Sequence, residues 1–132
     1  MTKKHPFAEL IGLVFEDRDQ DFSYCKLAVN ENLYNPYYTV HGGVLYSMAD
    51  TGMGAALSHL LESNESCATI EIKISYFKPV RTGTLECKSM VINKGRTIAS
   101  LESEILNNGK LVAKAHGTFS IFGPDKASKN RS

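Results

Sequence analysis

Asn35-Pro36-Tyr37-Tyr38-Thr39-Val40-His41-Gly42-Gly43-Val44-Leu45-Tyr46-Ser47-Met48-Ala49-Asp50 runs into Thr51-Gly52-Met53-Gly54-Ala55-Ala56-Leu57, and the reading of this stretch decides the fold. At ~100° per residue, Leu45, Ala49, Met53, Ala56, Leu57 and Leu60 make one apolar stripe, with Ser47, Thr51, Ser58 and Glu62 opposite. The spacing predicts one long helix that opens near His41-Gly42-Gly43 and closes near Ser63-Asn64. Ala49, Gly52, Gly54, Ala55 and Ala56 make that helix unusually thin. A glycine inside a helix costs about 1 kcal/mol against alanine, so two of them imply that a strand or a partner helix comes very close.

Downstream, the pattern changes period. Ile70, Ile72, Ile74 and Tyr76 alternate with Glu71, Lys73 and Ser75, which predicts a half-buried strand punctuated by Pro79 and Gly83. A second run covers Thr84 to Ile92 and a third Thr97 to Leu106, with the turn Asn93-Lys94-Gly95-Arg96 between them. Asn107-Asn108-Gly109 is a strong hairpin signal, and the last run sets Leu111, Ala113, Ala115, Phe119 and Ile121 on one face. Four strands joined this way predict an antiparallel meander. Upstream, Pro6 to Gly12 reads as a short helix, and Cys25, Leu27 and Val29 as the inner face of a strand. The expected class is α+β, a sheet wrapped around a central helix.

Composition narrows the rest. With 132 residues, 42% hydrophobic and 22% charged, the chain has ordinary globular makeup. It reads as a single domain over 1–132, its core about 25–122, with a polar tail from 123 expected to fray. No apolar run reaches the ~18 residues of a membrane helix, and Met1-Thr2-Lys3-Lys4-His5-Pro6 lacks a leader's apolar core, so a cytoplasmic protein is expected. Residues 1–66 hold four bases and nine acids, and residues 67–132 eleven bases and five acids. That split suggests a localised anion site; nucleic-acid binding would want a basic whole. Cys25, Cys67 and Cys87 form no C-x-x-C pair, and the four histidines show no ligand spacing. Free thiols and no metal are expected.

The chemistry sits around the helix. Asp50 lies at the edge of the apolar stripe, flanked by Leu57, Leu61 and Gly54, where a partly desolvated carboxylate suits general-base work. Gly42 and Gly43 open the helix, where outward N–H groups without a neighbouring side chain can receive a developing oxyanion. His41 fits a positioning role better than proton transfer, and Asn35 either starts a turn or polarises a carbonyl. Eight residues separate Gly42 from Asp50, about 12 Å along a helix, too far for one small reacting group. Two copies of the helix facing one substrate would close that gap, which predicts a dimer with composite sites.

Asn-x5-His-Gly-Gly-x6-Asp on a small-residue helix, followed by the alternating segment Thr69 to Gly83, resembles the PaaI-like (phenylacetate-degradation type) hotdog-fold acyl-CoA thioesterases. The similarity spans roughly residues 25–122. It implies an antiparallel sheet around one long helix, and homodimers with active sites at the subunit interface that pair further into tetramers. It also implies that Asp50 activates water or attacks the thioester, that the Gly42 amide polarises the carbonyl, that Asn35 positions substrate or nucleophile and that His41 supports the loop. Relatives often carry a water-orienting serine contributed by the partner subunit, and the matching position here is Thr69, which keeps the hydroxyl and adds a methyl.

Lys78, Arg81, Lys88, Lys94 and Arg96 stand against Glu86 alone between 78 and 96, a set suited to the phosphates of coenzyme A. By resemblance, Tyr76, Lys78 and Arg81, with the turn Asn93, Lys94, Gly95, Arg96 and Thr97, meet that part of the substrate. No cofactor beyond the CoA of the substrate is implied, and no nucleic-acid or membrane partner. Two other readings stay open: a hotdog hydratase or dehydratase using His41 and Asp50, and a non-catalytic acyl-CoA-binding module.

Overall fold

The computed structural model describes residues 4–16 and 22–124. In chain order the elements are α1 (Pro6–Ile11), β1 (Leu13–Phe15), β2 (Phe22–Ala28), a single 3-10 turn (Glu31–Leu33), α2 (Gly42–Ser58), β3 (Ser66–Tyr76), β4 (Thr84–Lys94), β5 (Ile98–Asn107) and β6 (Lys110–Phe122). The short helix starts with proline in its first turn and stops at Gly12, whose φ of +82° is cheap only for glycine. The tail expected to fray lies outside the described residues from 125 onward.

The long helix ends at Ser58, earlier than the expected Ser63-Asn64. The Leu60 and Leu61 amides reach back three residues, to the Leu57 and Ser58 carbonyls, a tightened turn that ends the helix. Leu60 therefore falls outside it and is only half-buried, while Leu45, Met48, Ala49, Gly52, Met53, Ala56 and Leu57 form the inner face.

All six strands pair antiparallel in the order β1-β2-β4-β5-β6-β3. Only β4, β5 and β6 form a meander, so the expected four-strand meander is corrected. The connection from β3 to β4, residues 77–83, is too long for a tight hairpin. It tucks Val80 into the core, where its carbonyl accepts from the Val40 amide at 2.8 Å. The chain thus crosses beneath the start of α2, and β3 becomes an edge strand beyond β6.

Strict alternation holds along β4 up to the slip between Val91 and Asn93, and along β5, where Leu85, Cys87, Ala99, Leu101 and Ile105 point inward with Ser89 and Ser103. It fails where the register slips. Between Thr69 and Glu71 the ladder skips Ile70, which is 53% exposed and not buried as the period predicts. Another slip, at Ile105/Leu106, turns Val112 inward and leaves Leu111 39% exposed.

The close approach implied by the thin helix occurs at Gly52. A Cβ there would stand 2.5 Å from the Ser89 hydroxyl oxygen, whereas at Gly54 the nearest atom is 3.9 Å away. Ser23 Oγ donates to the Gly52 carbonyl at 2.6 Å, and Ser103 Oγ to the Ala49 carbonyl at 3.3 Å. Ser89 and Ser103 share a hydrogen bond of 2.6 Å. Among the described residues no buried side-chain polar atom lacks a partner, so this polar seam carries no desolvation penalty of an unmade bond.

Candidate active site

Asp50 lies on the flank of α2 that faces the edge strand, and the Thr69 hydroxyl donates to its Oδ1 at 2.6 Å. The slip at Ile70 makes this possible. Counting back in twos from Ile72 would turn Ile70 toward the helix and Thr69 away from it. The bulge reverses the phase, so Thr69 faces inward beside Phe119, its partner on β6. Nothing in the run Thr69-Ile70-Glu71-Ile72 announces this, since no glycine or proline marks the bulge. Thr69 reaches the carboxylate of its own chain, whereas the resemblance expected the hydroxyl from a partner. Cys67, two residues earlier on the same face, is a neighbour that sequence reading missed. Burial pushes its thiol pKa up, and the nearby Asp50 charge pushes it further.

The second group gathers at the start of α2. His41 is the N-cap: its Nδ1 accepts the Gly43 amide at 2.8 Å, and its own carbonyl accepts from Val44. A neutral imidazole that accepts at Nδ1 carries its proton on Nε2. Among the described residues the Gly42 N–H has no hydrogen-bond partner, so of the two glycines Gly42 is the one with a donor to spare. The Tyr76 hydroxyl donates to the Gly42 carbonyl at 2.7 Å, and its ring would stand 3.1 Å from a Cβ at Gly42. Burial, then the neighbouring Tyr46, push the Tyr76 pKa up, so the phenol stays a donor. A cavity of about 310 Å³ opens here, between Gly42 and the stretch Tyr76, Phe77 and Lys78.

Asn35 is spent on its own loop. Its Oδ1 accepts the Tyr37 and Thr39 amides at 2.8 and 3.3 Å, and its Nδ2 donates to the Thr39 hydroxyl at 2.8 Å. That loop holds Tyr38 at a φ of +63° and presents Tyr37 and Tyr38 to solvent.

The basic residues do not form one cluster within the chain. Lys78 and Arg81 follow Tyr76, at the end of β3 that holds Gly42. The exposed turn Asn93, Lys94, Gly95, Arg96 and Thr97 leads to Ile98, which pairs with Ser120 beside Ala68, at the end that holds Asp50 and Thr69. Roughly 20 Å of strand separates the two ends. Lys88 sits elsewhere, its ammonium 5.1 Å over the Phe22 ring.

A family model described as thioesterase superfamily matches residues 37–114, from the loop before α2 into β6. The chain belongs to the thioesterase superfamily. It is similar to a candidate esterase of Saccharolobus solfataricus, SSO1253, at 29% identity over 92% of this chain and 81% of that protein. Among solved structures, the conserved protein PA5202 of Pseudomonas aeruginosa is 32% identical, with a TM-score of 0.86 over 90% of this chain and 95% of that one. The PaaI protein from the phenylacetic acid degradation operon of E. coli is 25% identical, with a TM-score of 0.84 over 90% and 86%. The thioesterase is thus a PaaI-like hotdog protein, and by class a thioester hydrolase.

In chemical terms this thioesterase sets an oriented carboxylate and an unused helix-terminal amide at two places on one chain. Among the described residues no three His, Cys, Asp or Glu side chains gather to hold a metal ion, and no helix is long and apolar enough to cross a membrane.

Proposed function

We propose that this thioesterase hydrolyses acyl-CoA to a carboxylic acid and free CoA at sites shared by two copies of the chain. Asp50 and Thr69 come from one copy, and the Gly42 amide with Tyr76 from the other. The observation that carries the reading is the pairing of a hydroxyl-oriented carboxylate with a free Gly42 N–H about 12 Å away along the same helix. Neither half can complete an acyl transfer alone. An antiparallel pairing of two β3 edges exchanges their ends, so the Asp50 end of one copy meets the Gly42 end of the other. The same exchange joins Lys78 and Arg81 of one copy to the turn 93–97 of its partner, restoring the split basic set around one CoA.

Thr69 fixes Asp50 through Oδ1 and leaves Oδ2 free to act. Acting as base, the carboxylate takes a proton from water as the oxygen attacks the thioester carbon. The tetrahedral oxyanion accepts from Gly42, and its collapse breaks the C–S bond, releasing the thiol with that proton. Attack by Asp50 itself, through an anhydride that water then opens, gives the same products. No cofactor enters either balance. Free thiols at Cys25, Cys67 and Cys87 suit a reducing compartment such as the cytoplasm. The hydratase reading would ask proton transfer of His41 through Nε2, since Nδ1 is held as the helix cap, and the enoyl-CoA arm of the test decides between the two.

The test is thiol release from short-chain, long-chain and aryl acyl-CoAs, with enoyl-CoA hydration measured in parallel. Release without hydration is expected. Asp50→Asn is expected to lose roughly a hundredfold or more in kcat while keeping its fold by circular dichroism. Full activity in that variant overturns the assignment.

A further inference from the structure

A second cavity of about 310 Å³ lies on the other side of the α2 N-terminus, between that turn and α1. Phe7 and Ile11 of α1, Leu33 and Tyr34 at the end of the 3-10 turn, and Val44 of α2 form its apolar wall, with Asn32, His41 and Ser47 as its polar members. No charged residue lines it, whereas the cavity beside Gly42 includes Lys78. Most polar groups around this wall are already engaged. The Ser47 hydroxyl donates to the Gly43 carbonyl at 2.7 Å, the Tyr34 hydroxyl to the Arg81 carbonyl at 2.6 Å, and His41 Nδ1 accepts from Gly43. Tyr34 thus offers ring and not phenol. An ionised occupant would meet no opposite charge on this wall, where an uncharged one loses nothing by leaving water.

A thioester has two limbs. One carries the phosphates of CoA and needs cations; the other is the acyl group. With the carbonyl at the Gly42 amide, the two cavities flank it, one beside a cation and one apolar. From this division we infer that the α1-side cavity receives the acyl group, and that Phe7 and Ile11 set its size. The inference rests on the thioesterase reading above. At about 30 Å³ per water-sized group, the cavity takes roughly ten non-hydrogen atoms, an uncharged alkyl or arylalkyl acyl group of medium size.

The experiment compares kcat/KM for acetyl-, octanoyl-, dodecanoyl-, phenylacetyl- and succinyl-CoA in the wild type, Ile11→Trp and Phe7→Ala. In the wild type, octanoyl- or phenylacetyl-CoA is expected to exceed acetyl- and succinyl-CoA by at least tenfold, and the two favoured probes tell an alkyl from an aryl occupant. Ile11→Trp fills the cavity and is expected to lower the ratio of the better probe to acetyl-CoA tenfold or more. Phe7→Ala enlarges it and is expected to raise the ratio of dodecanoyl- to octanoyl-CoA severalfold. Wild-type turnover with ratios unchanged in both variants overturns the acyl assignment alone. Absence of thiol release from every substrate in the wild type overturns the thioesterase reading, and this inference with it.

Discussion

Asp50 owes its orientation to one hydroxyl, and that dependence is measurable. Thr69→Val keeps the shape and removes the donor, the loss of one hydrogen bond to a charged group, worth about 1.5–3 kcal/mol. A fall of roughly 10- to 100-fold in kcat is expected, with Thr69→Ser restoring most of it; an unchanged kcat in Thr69→Val refutes the orienting role. Asp50, Gly42 and His41 were legible as a spacing, because helix periodicity fixes where they stand. What they bond to was not, since the Thr69 contact depends on a register slip between strands remote in sequence. Tyr24 offers a residue-scale check in pH. Its hydroxyl donates to the Glu86 carboxylate, and that bond, with burial, pushes its pKa up to about 12 from 10.0. The folded state holds the proton more tightly than the unfolded chain, so the stabilisation is fully present below pH ~10 and is lost as pH climbs toward ~12. Urea unfolding of wild type and Tyr24→Phe is expected to differ at pH 8 and to converge as the pH approaches 12.

At the scale of elements, the thinness of α2 was readable and its cause was not. Two glycines looked alike in sequence, yet only Gly52 faces a hydroxyl at a distance that a methyl would violate. Gly52→Ala gains helix propensity and still must displace Ser89 from its bond to Ser103. A net loss of about 1–3 kcal/mol in unfolding free energy is expected. Ser89→Ala in the same chain should recover part of it, since two groups in contact do not act additively. Equal stability of Gly52→Ala and wild type would show that the helix can lift without cost. The strands repeat the lesson. Ile70 and Leu111 obey the period and miss the face, because an extra residue in a ladder leaves no mark in composition.

For the molecule as a whole, length and charge described one neutral domain, while the structure divides its working parts between two ends of β3. Sequence spacing alone already asks for two copies if Asp50 and Gly42 are to share one substrate. It could not tell that Lys78 and Arg81 go with the Gly42 end and the 93–97 turn with the Asp50 end, because strand order β6-β3 is set by pairing and not by chain order. The division can be tested by mixing. Asp50→Asn and Gly42→Leu, each inactive alone, are expected to regain about a quarter of wild-type thiol release when unfolded and refolded together. Half of the random dimers are mixed, and each mixed dimer holds one intact site of two. No recovery in dimers verified as mixed would place both groups of a working site on one chain.

The bulge also governs how relatives should be aligned. Thr69 and Tyr76 are seven positions apart because Ile70 is counted but not paired. A homologue without the bulge needs only six positions to set the same hydroxyl and the same phenol on the helix side of the edge strand. A motif written with fixed spacing across β3 would assign such a homologue the wrong face for every residue beyond the gap. The gap belongs at 70, where the chain spends a residue on direction alone.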